Sequence, residues 1–411
     1  MNAHMTNSVA APTNRILSLD ILRGITIAFM IMVNYNGGIG NGAGGTTSWW
    51  FMNHAEWIGL TPTDLVFPTF LFVIGVSIVY AFEARLSKGA TRESLVKHTL
   101  SRTAILIFFG FLVNNFPFGE IKNGAWEFHL QHLRFYGVLQ RLAVCYCIVG
   151  IFYLYDKSVK TKIYALVGCL VAYYILLRWV PVPGHGIQFL DPDFNLVNWV
   201  DQHLMPGHLY EDWTTHNLRD PEGFLSTLPS FGTALLGVLA GIFLRTNRPV
   251  AQKARGLAIG SLACLVSGYI WSFWFPLSKK MWTSSFTLVA AGYSLALFAL
   301  VFWMVEVMNW RKVWSWPWLV LGSNAIVAYM FSELFPAVFV FTPMVTFHSN
   351  GSPLVAMADG KQTSILGWWN LSMYNLISAP HWAAFAFCLS YLAVCFIPVW
   401  ILWKKKIFVK I

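Results

Sequence analysis

Charge is scarce in this sequence. Only 11% of its 411 residues are Asp, Glu, Lys or Arg, against 56% hydrophobic, and no long polar block interrupts the apolar runs. A soluble globular domain carries about 25% charge, so that class is excluded, and no stretch remains in which a separate soluble domain could fold. Cysteine is sparse too. Cys145, Cys147, Cys169, Cys264, Cys388 and Cys395 all fall in apolar runs, where they pack as small apolar residues. Cys145-x-Cys147 has neither redox nor zinc spacing, and no disulfide is expected. The sequence has no H-E-x-x-H metal motif. It has no internal repeat of the kind that builds duplicated transporters.

What is present in quantity is hydrocarbon, with 20 Trp, 33 Phe and a mean hydropathy of +0.56. Crossing a bilayer core of about 30 Å takes roughly 20 apolar residues. Such runs occur at 18–36, 62–84, 100–117, 135–155, 163–180, 223–244, 256–275, 283–308, 316–342 and 382–403. The expectation is therefore an all-α polytopic integral membrane protein, one domain of about ten transmembrane helices over residues 1–411. Long connections at 181–222 and 343–379 lie on one side. The first run is too long for a cleaved signal and is expected to remain.

Basic residues collect in alternate connections: Arg85, Lys88, Arg92 and Lys97; Lys157, Lys160 and Lys162; Arg245, Arg248, Lys253 and Arg255; Arg311 and Lys312; Lys404, Lys405, Lys406 and Lys410. The others hold much of the acid, including Asp191, Asp193, Asp201, Glu211, Asp212, Asp220 and Glu222. By the positive-inside rule both termini are cytoplasmic and the 181–222 side, with Asn34, His54 and Asp64, is extracytoplasmic. The net charge of +10 is then flanking charge facing anionic lipid, and no nucleic acid partner is implied.

Polar chemistry concentrates between the first two runs, where Asn34 ends one, Asp64 opens the next and His54 lies between. Ionisable groups at a membrane edge are functional by default. Thr61, Pro62 and Asp64 fit a helix start in which the Asp64 carboxylate reaches back in a capping box, so Asp64 can hold the helix, orient an imidazole, or do both. His54 lies among Trp49, Trp50, Phe51 and Trp57, where partial burial keeps the ring neutral and able to accept a proton. No second ligand stands at metal spacing, and no metal is expected. Asp20 and Arg23 are spaced to pair on one helical face. Gly40, Gly42 and Gly45 spell a G-x-G-x-x-G without a preceding strand, which reads as a hinge rather than a dinucleotide cradle. Trp199-Val200-Asp201, Asp212-Trp213 and Trp368-Trp369-Asn370 suit either a saccharide surface or an interfacial aromatic belt.

Taken together, Ser18-Leu19-Asp20-Ile21-Leu22-Arg23-Gly24, Val33-Asn34-Tyr35, His54-Ala55-x-Trp57-x-Gly59-Leu60-Thr61, Asp64-Leu65-Val66-Phe67-Pro68, Gly137-Val138-Leu139-Gln140-Arg141-Leu142, Asp220-Pro221-Glu222-Gly223 and Lys405-Lys406-Ile407-Phe408-x-Lys410-Ile411 resemble the heparan-α-glucosaminide N-acetyltransferase family. The resemblance spans nearly the whole chain and is to a bacterial member without the extra N-terminal region of the lysosomal enzymes. It implies acetyl transfer from cytosolic acetyl-CoA, as co-substrate, to the amine of a terminal glucosamine across the membrane, and a homodimer among the partners. The family's catalytic histidine and nearby asparagine fall on His54 and Asn34. The long loops match only around Asp220 to Gly223, so the acceptor is the least defined part.

On that reading His54 is the general base, Asn34 orients it or donates to the developing oxyanion, and Asp64 fixes the tautomer. A ping-pong route with acetyl on His54 is an open alternative. The coenzyme A phosphates call for cations, and Arg102, Arg141, Arg245 and Arg248 are the candidates. Two further classes stay in view: an O-acetyltransferase of surface or cell-wall polysaccharide, and a solute or proton-coupled transporter.

Overall fold

The structure is a computed structural model and describes residues 16–39, 46–122, 125–128, 130–210, 219–311, 313–340, 345–346, 362–363 and 365–409. The Gly40, Gly42 and Gly45 motif and Asp212-Trp213 lie outside the described residues. The chain is helical almost throughout: α1 Leu17–Asn34, α2 Val66–Leu86, α3 Arg92–Asn115, α4 Val138–Tyr155, α5 Val159–Trp179, α6 Leu196–Leu204, α7 Thr227–Leu244, α8 Val250–Ser272, α9 Ser284–Phe302, α10 Trp316–Ser323, α11 Ala325–Val340, α12 Ile365–Leu376 and α13 Pro380–Lys404. Two small antiparallel strand pairs are present, one of them joining Gly119–Lys122 to Ala125–Phe128.

Among the described residues nine helical segments are long and apolar enough to cross a membrane, and the α10–α11 pair makes a tenth if its two arms, bent by 73° at Asn324, count as one span. The expectation of about ten spans holds, with the tenth broken. The long connections carry structure of their own, α6 within 181–222 and α12 within 343–379.

Helix starts follow local chemistry. The side chains of Thr91, Ser158, Asn195 and Thr283 each accept a backbone N–H from three residues on, at the starts of α3, α5, α6 and α9, satisfying donors that a helix start leaves open. Helices α1, α2, α4, α7 and α9 are buried over most of their length, whereas α3, α5, α8 and α13 are mostly outward-facing. The outer faces are apolar, as at Ile105 and Phe108 of α3 and Ile259 and Leu262 of α8, which suits a hydrocarbon solvent. Inside, small residues let backbones meet. A Cβ on Gly75 of α2 or Gly237 of α7 would strike the other helix's backbone, and the same holds for Gly24 of α1 and Gly322 of α10. The second pair brings α10 against α1 beside a cavity that Gly322 lines.

Candidate active site

At the end of the bundle where α1 finishes and α2 begins, the connection carrying His54 is tied down on several sides. Asn36, two residues past the end of α1, donates through Nδ2 to Asn53 Oδ1 at 3.0 Å. The Trp57 indole donates to Leu190 O at 2.8 Å, and Gly59 N donates to Leu277 O at 2.8 Å. Two other connections, together with the start of its own, therefore fix the segment that carries His54.

The histidine and the helix start meet. His54 Nδ1 lies 2.6 Å from Asp64 Oδ1, while Asp64 Oδ2 accepts from Thr61 N at 2.9 Å and Ala55 N at 3.2 Å. One carboxylate thus closes the capping box and orients the imidazole, so the two readings of Asp64 are both realised. Since a carboxylate accepts, Nδ1 carries the proton and Nε2 is left as the acceptor. The Asp64 side chain is 1% exposed and that of His54 46%: the orienting group is dry and the ring is reachable. Burial first, and then the nearby Lys279 cation, hold the His54 pKa below its ordinary value against the opposing pull of Asp64 and Glu222. Burial and Lys279 both favour the neutral ring.

Lys279 belongs to a charge ladder that no single stretch of sequence displays. Lys279 Nζ is 3.1 Å from Glu222 Oε1, Arg134 Nη2 is 2.8 Å from Glu222 Oε2, and Arg134 holds both oxygens of Asp220, at 2.8 and 2.6 Å. Burial alone would raise the Glu222 pKa, but Lys279, Arg134 and Arg141 outweigh it and keep the carboxyl well below its usual range. Arg141, fully buried, donates to Gly223 O at 2.8 Å and to Ser226 Oγ. Its guanidinium lies 5.0 Å over the Trp282 ring.

Asp201 completes this turn from the other side, its Oδ1 accepting from Phe224 N at 2.7 Å and Leu225 N at 3.3 Å, while buried Oδ2 has no hydrogen-bond partner among the described residues. Burial first, with help from Asp220, pushes its pKa up to about 7. The unfolded chain releases that proton near the ordinary 3.8, so between pH 4 and 7 the folded state holds a proton the unfolded state has lost, and stability falls as pH rises through that window. Asp201→Asn is therefore expected to melt above wild type at pH 8 and close to it at pH 5. Parallel curves of melting midpoint against pH for the two proteins would contradict the assignment.

Asn34 is engaged elsewhere in the same end. Its Nδ2 donates to Glu333 Oε1 of α11 at 2.9 Å, which sets the amide orientation and leaves its second N–H without a partner among the described residues. One turn further into the membrane Tyr329 lies within electrostatic reach of Glu333, Arg134 and Glu222. Glu333 was missed in the sequence, although a carboxylate inside the apolar run 316–342 is itself a signal.

From the opposite end a cavity of about 660 Å³ runs inward between α1, α2, α3, α4, α10 and α11. Asp20, Arg23, Arg85, His98 and Arg102 line its outer part, and Met30, Phe70, Val138 and Tyr329 its depth. The interval from Ile16 to Met30 on α1 corresponds to roughly 21 Å of helical rise, two-thirds of the hydrocarbon thickness, and ends one turn short of Asn34. Arg23 and Asp20 pair at 3.0 Å as spaced. Arg102 stacks 4.7 Å over Tyr146, and its buried Nε has no hydrogen-bond partner among the described residues. Arg245 lines a separate pocket with Glu83, Tyr153 and Lys157, Arg248 lies over Phe243, and Arg141 belongs to the turn described above. Among the described residues no three His, Cys, Asp or Glu side chains form a metal-binding group.

These features define a polytopic helical membrane protein with a carboxylate-oriented histidine at one end and a deep, basic-mouthed cavity opening at the other. The chain belongs to the heparan-alpha-glucosaminide N-acetyltransferase family, whose catalytic-domain model matches residues 15–267. It is 28% identical over 379 residues to heparan-alpha-glucosaminide N-acetyltransferase of Homo sapiens, covering 80% of this chain and 54% of that protein. To the Mus musculus protein of the same name it is 26% identical over 382 residues, covering 80% and 55%. The chain thus spans about half the length of the curated relatives it matches.

Proposed function

We propose that this protein is an acetyl-CoA-dependent N-acetyltransferase that passes acetyl through a bacterial inner membrane to the amine of glucosamine or a glucosamine-containing saccharide on the extracytoplasmic side. The residues before α1 and after α13 face the cytoplasm on this reading, in keeping with the alternating Lys and Arg pattern. The observation that carries it is the alignment of two half-sites. A cavity with cations at its mouth approaches, from the cytoplasmic end, the end where His54 presents an unprotonated nitrogen.

The cavity fits an acetylated nucleotide thioester in kind: Arg102, with Arg85 and His98, would meet phosphates, and the apolar depth would take the pantetheine arm. Arg141, Arg245 and Arg248 do not line this cavity, and Arg102 is the one of the four sequence candidates to which the phosphate role is assigned. In direct transfer the acceptor nitrogen forms a bond to the acetyl carbon as the carbon–sulfur bond breaks, and the nitrogen's proton passes to His54 Nε2. Asp64 holds the ring and stabilises it once charged. Asn34, its amide turned by Glu333, has a second N–H for the oxygen on which charge develops.

Incubation of the purified protein with labelled acetyl-CoA and glucosamine, muropeptides or neutral sugars, read by mass spectrometry, tests this. Label on the glucosamine nitrogen is expected. Label confined to hydroxyls would replace the reading with O-acetyl transfer, and no transfer to any of them would favour a transporter.

A further inference from the structure

The segment after α13 turns back onto the bundle. Lys406 adopts φ 55°, Lys406 N donates to Trp403 O and Ile407 N to Leu402 O. That pair of bonds is a Schellman turn, here with a lysine where glycine is usual, so the contacts beyond it must hold a backbone that L residues disfavour.

One side chain supplies two hydrogen bonds to that segment. Asn324, 1% exposed at the break between α10 and α11, accepts from Val409 N through Oδ1 at 2.8 Å and donates through Nδ2 to Ile407 O at 3.1 Å. Its amide does for the strap what a neighbouring β-strand residue would do, and only this orientation of the amide satisfies both bonds. Between the two bonds sits Phe408, which with Val409 lines the 660 Å³ cavity beside Gly322, Ser323, Ala325 and Ile326. Phe408 and Val409 each remain 39% exposed. They are apolar surface turned toward the cavity with room for something to cover them, and Lys404, Lys405 and Lys406 bring positive charge to the same end as Arg85, His98 and Arg102.

We propose that Ile407–Val409 is a wall of the donor cavity against which the nucleotide thioester seats, and that Asn324 is the positioning residue that clips this wall to the α10–α11 break. The inference rests on the donor reading above. It assigns Phe408 a direct contact with the donor and Asn324 an effect through the strap.

The test measures coenzyme A binding calorimetrically and steady-state acetyl transfer on the full chain in detergent. Phe408→Ala and Asn324→Ala are each expected to weaken coenzyme A binding and raise KM for acetyl-CoA about tenfold, with kcat within about twofold of wild type and Phe408→Leu recovering most of the affinity. Asn324→Ala is also expected to speed amide exchange at Val409, whereas bound coenzyme A slows it in the wild type. Wild-type binding with both variants unchanged overturns the strap and leaves the donor reading standing. A loss of kcat and melting midpoint without a change in KM marks a purely structural segment and also overturns it. Failure of folded wild-type protein to bind coenzyme A at all removes the donor reading and the strap together.

Discussion

Exchange of His54 for alanine is expected to cut turnover by roughly 10²–10⁴-fold, the usual contribution of a positioned general base, while leaving the melting midpoint and acetyl-CoA binding close to wild type. The separation follows from the geometry. The ring is half open to solvent and contributes little to the core, and the 660 Å³ cavity proposed for the donor does not include it. Asp64 then keeps its two backbone donors, Thr61 N and Ala55 N, so the start of α2 is retained. Because the His54 pKa lies below its ordinary value through burial and the Lys279 cation, the acid limb of the wild-type rate profile is expected below about pH 6.5, as protonation of Nε2 removes the base. Near wild-type turnover in folded His54→Ala protein would return this residue to a structural role.

Arg134→Met is expected to be the most destabilising single change. Removing one partner from a buried ionic group costs about 3–5 kcal/mol because the remaining charges are left uncompensated. Here Asp220 would lose both of its bonds to Arg134, and Glu222 would keep Lys279 alone. The turn these carboxylates belong to begins α7 and faces His54, so activity falls with stability. Adding Asp220→Asn to Arg134→Met removes one stranded charge and is expected to recover part of the loss. A melting midpoint within a degree or two of wild type for Arg134→Met, read by intrinsic fluorescence in detergent, would show the ladder to be energetically idle.

The spans were legible because an apolar run of membrane length is decided by composition alone, whatever it packs against. The break at Asn324 was not, since hydropathy summed over 316–342 does not register one amide that ends a helix and bonds a distant strap. The His54–Asp64 dyad was half visible: helix-start chemistry placed a carboxylate at Asp64, and only ten positions separate it from the ring. The partner of Asn34 was hidden in an apolar run, and Arg134, Glu222 and Lys279 come from three connections whose meeting depends on how α4, α7 and α9 pack. Spacing carries no record of that. The basic residues divide for a similar reason: flanking charge and cavity charge look alike in sequence, and only the packing of α1 to α4 puts Arg102 on the cavity while Arg245 and Arg248 face elsewhere.

On the proposed function, donor and acceptor stay on opposite sides of the membrane and acetyl alone passes between them. Reconstitution into vesicles of defined orientation tests it, with labelled acetyl-CoA confined to the face bearing Lys404 to Lys406 and glucosamine to the face bearing His54. N-acetylated glucosamine is predicted to accumulate on the His54 side while the coenzyme stays where it was supplied, and exchanging the two compartments is predicted to abolish product. Product formed only when both substrates share one compartment, or unmodified glucosamine crossing the membrane, would contradict the account.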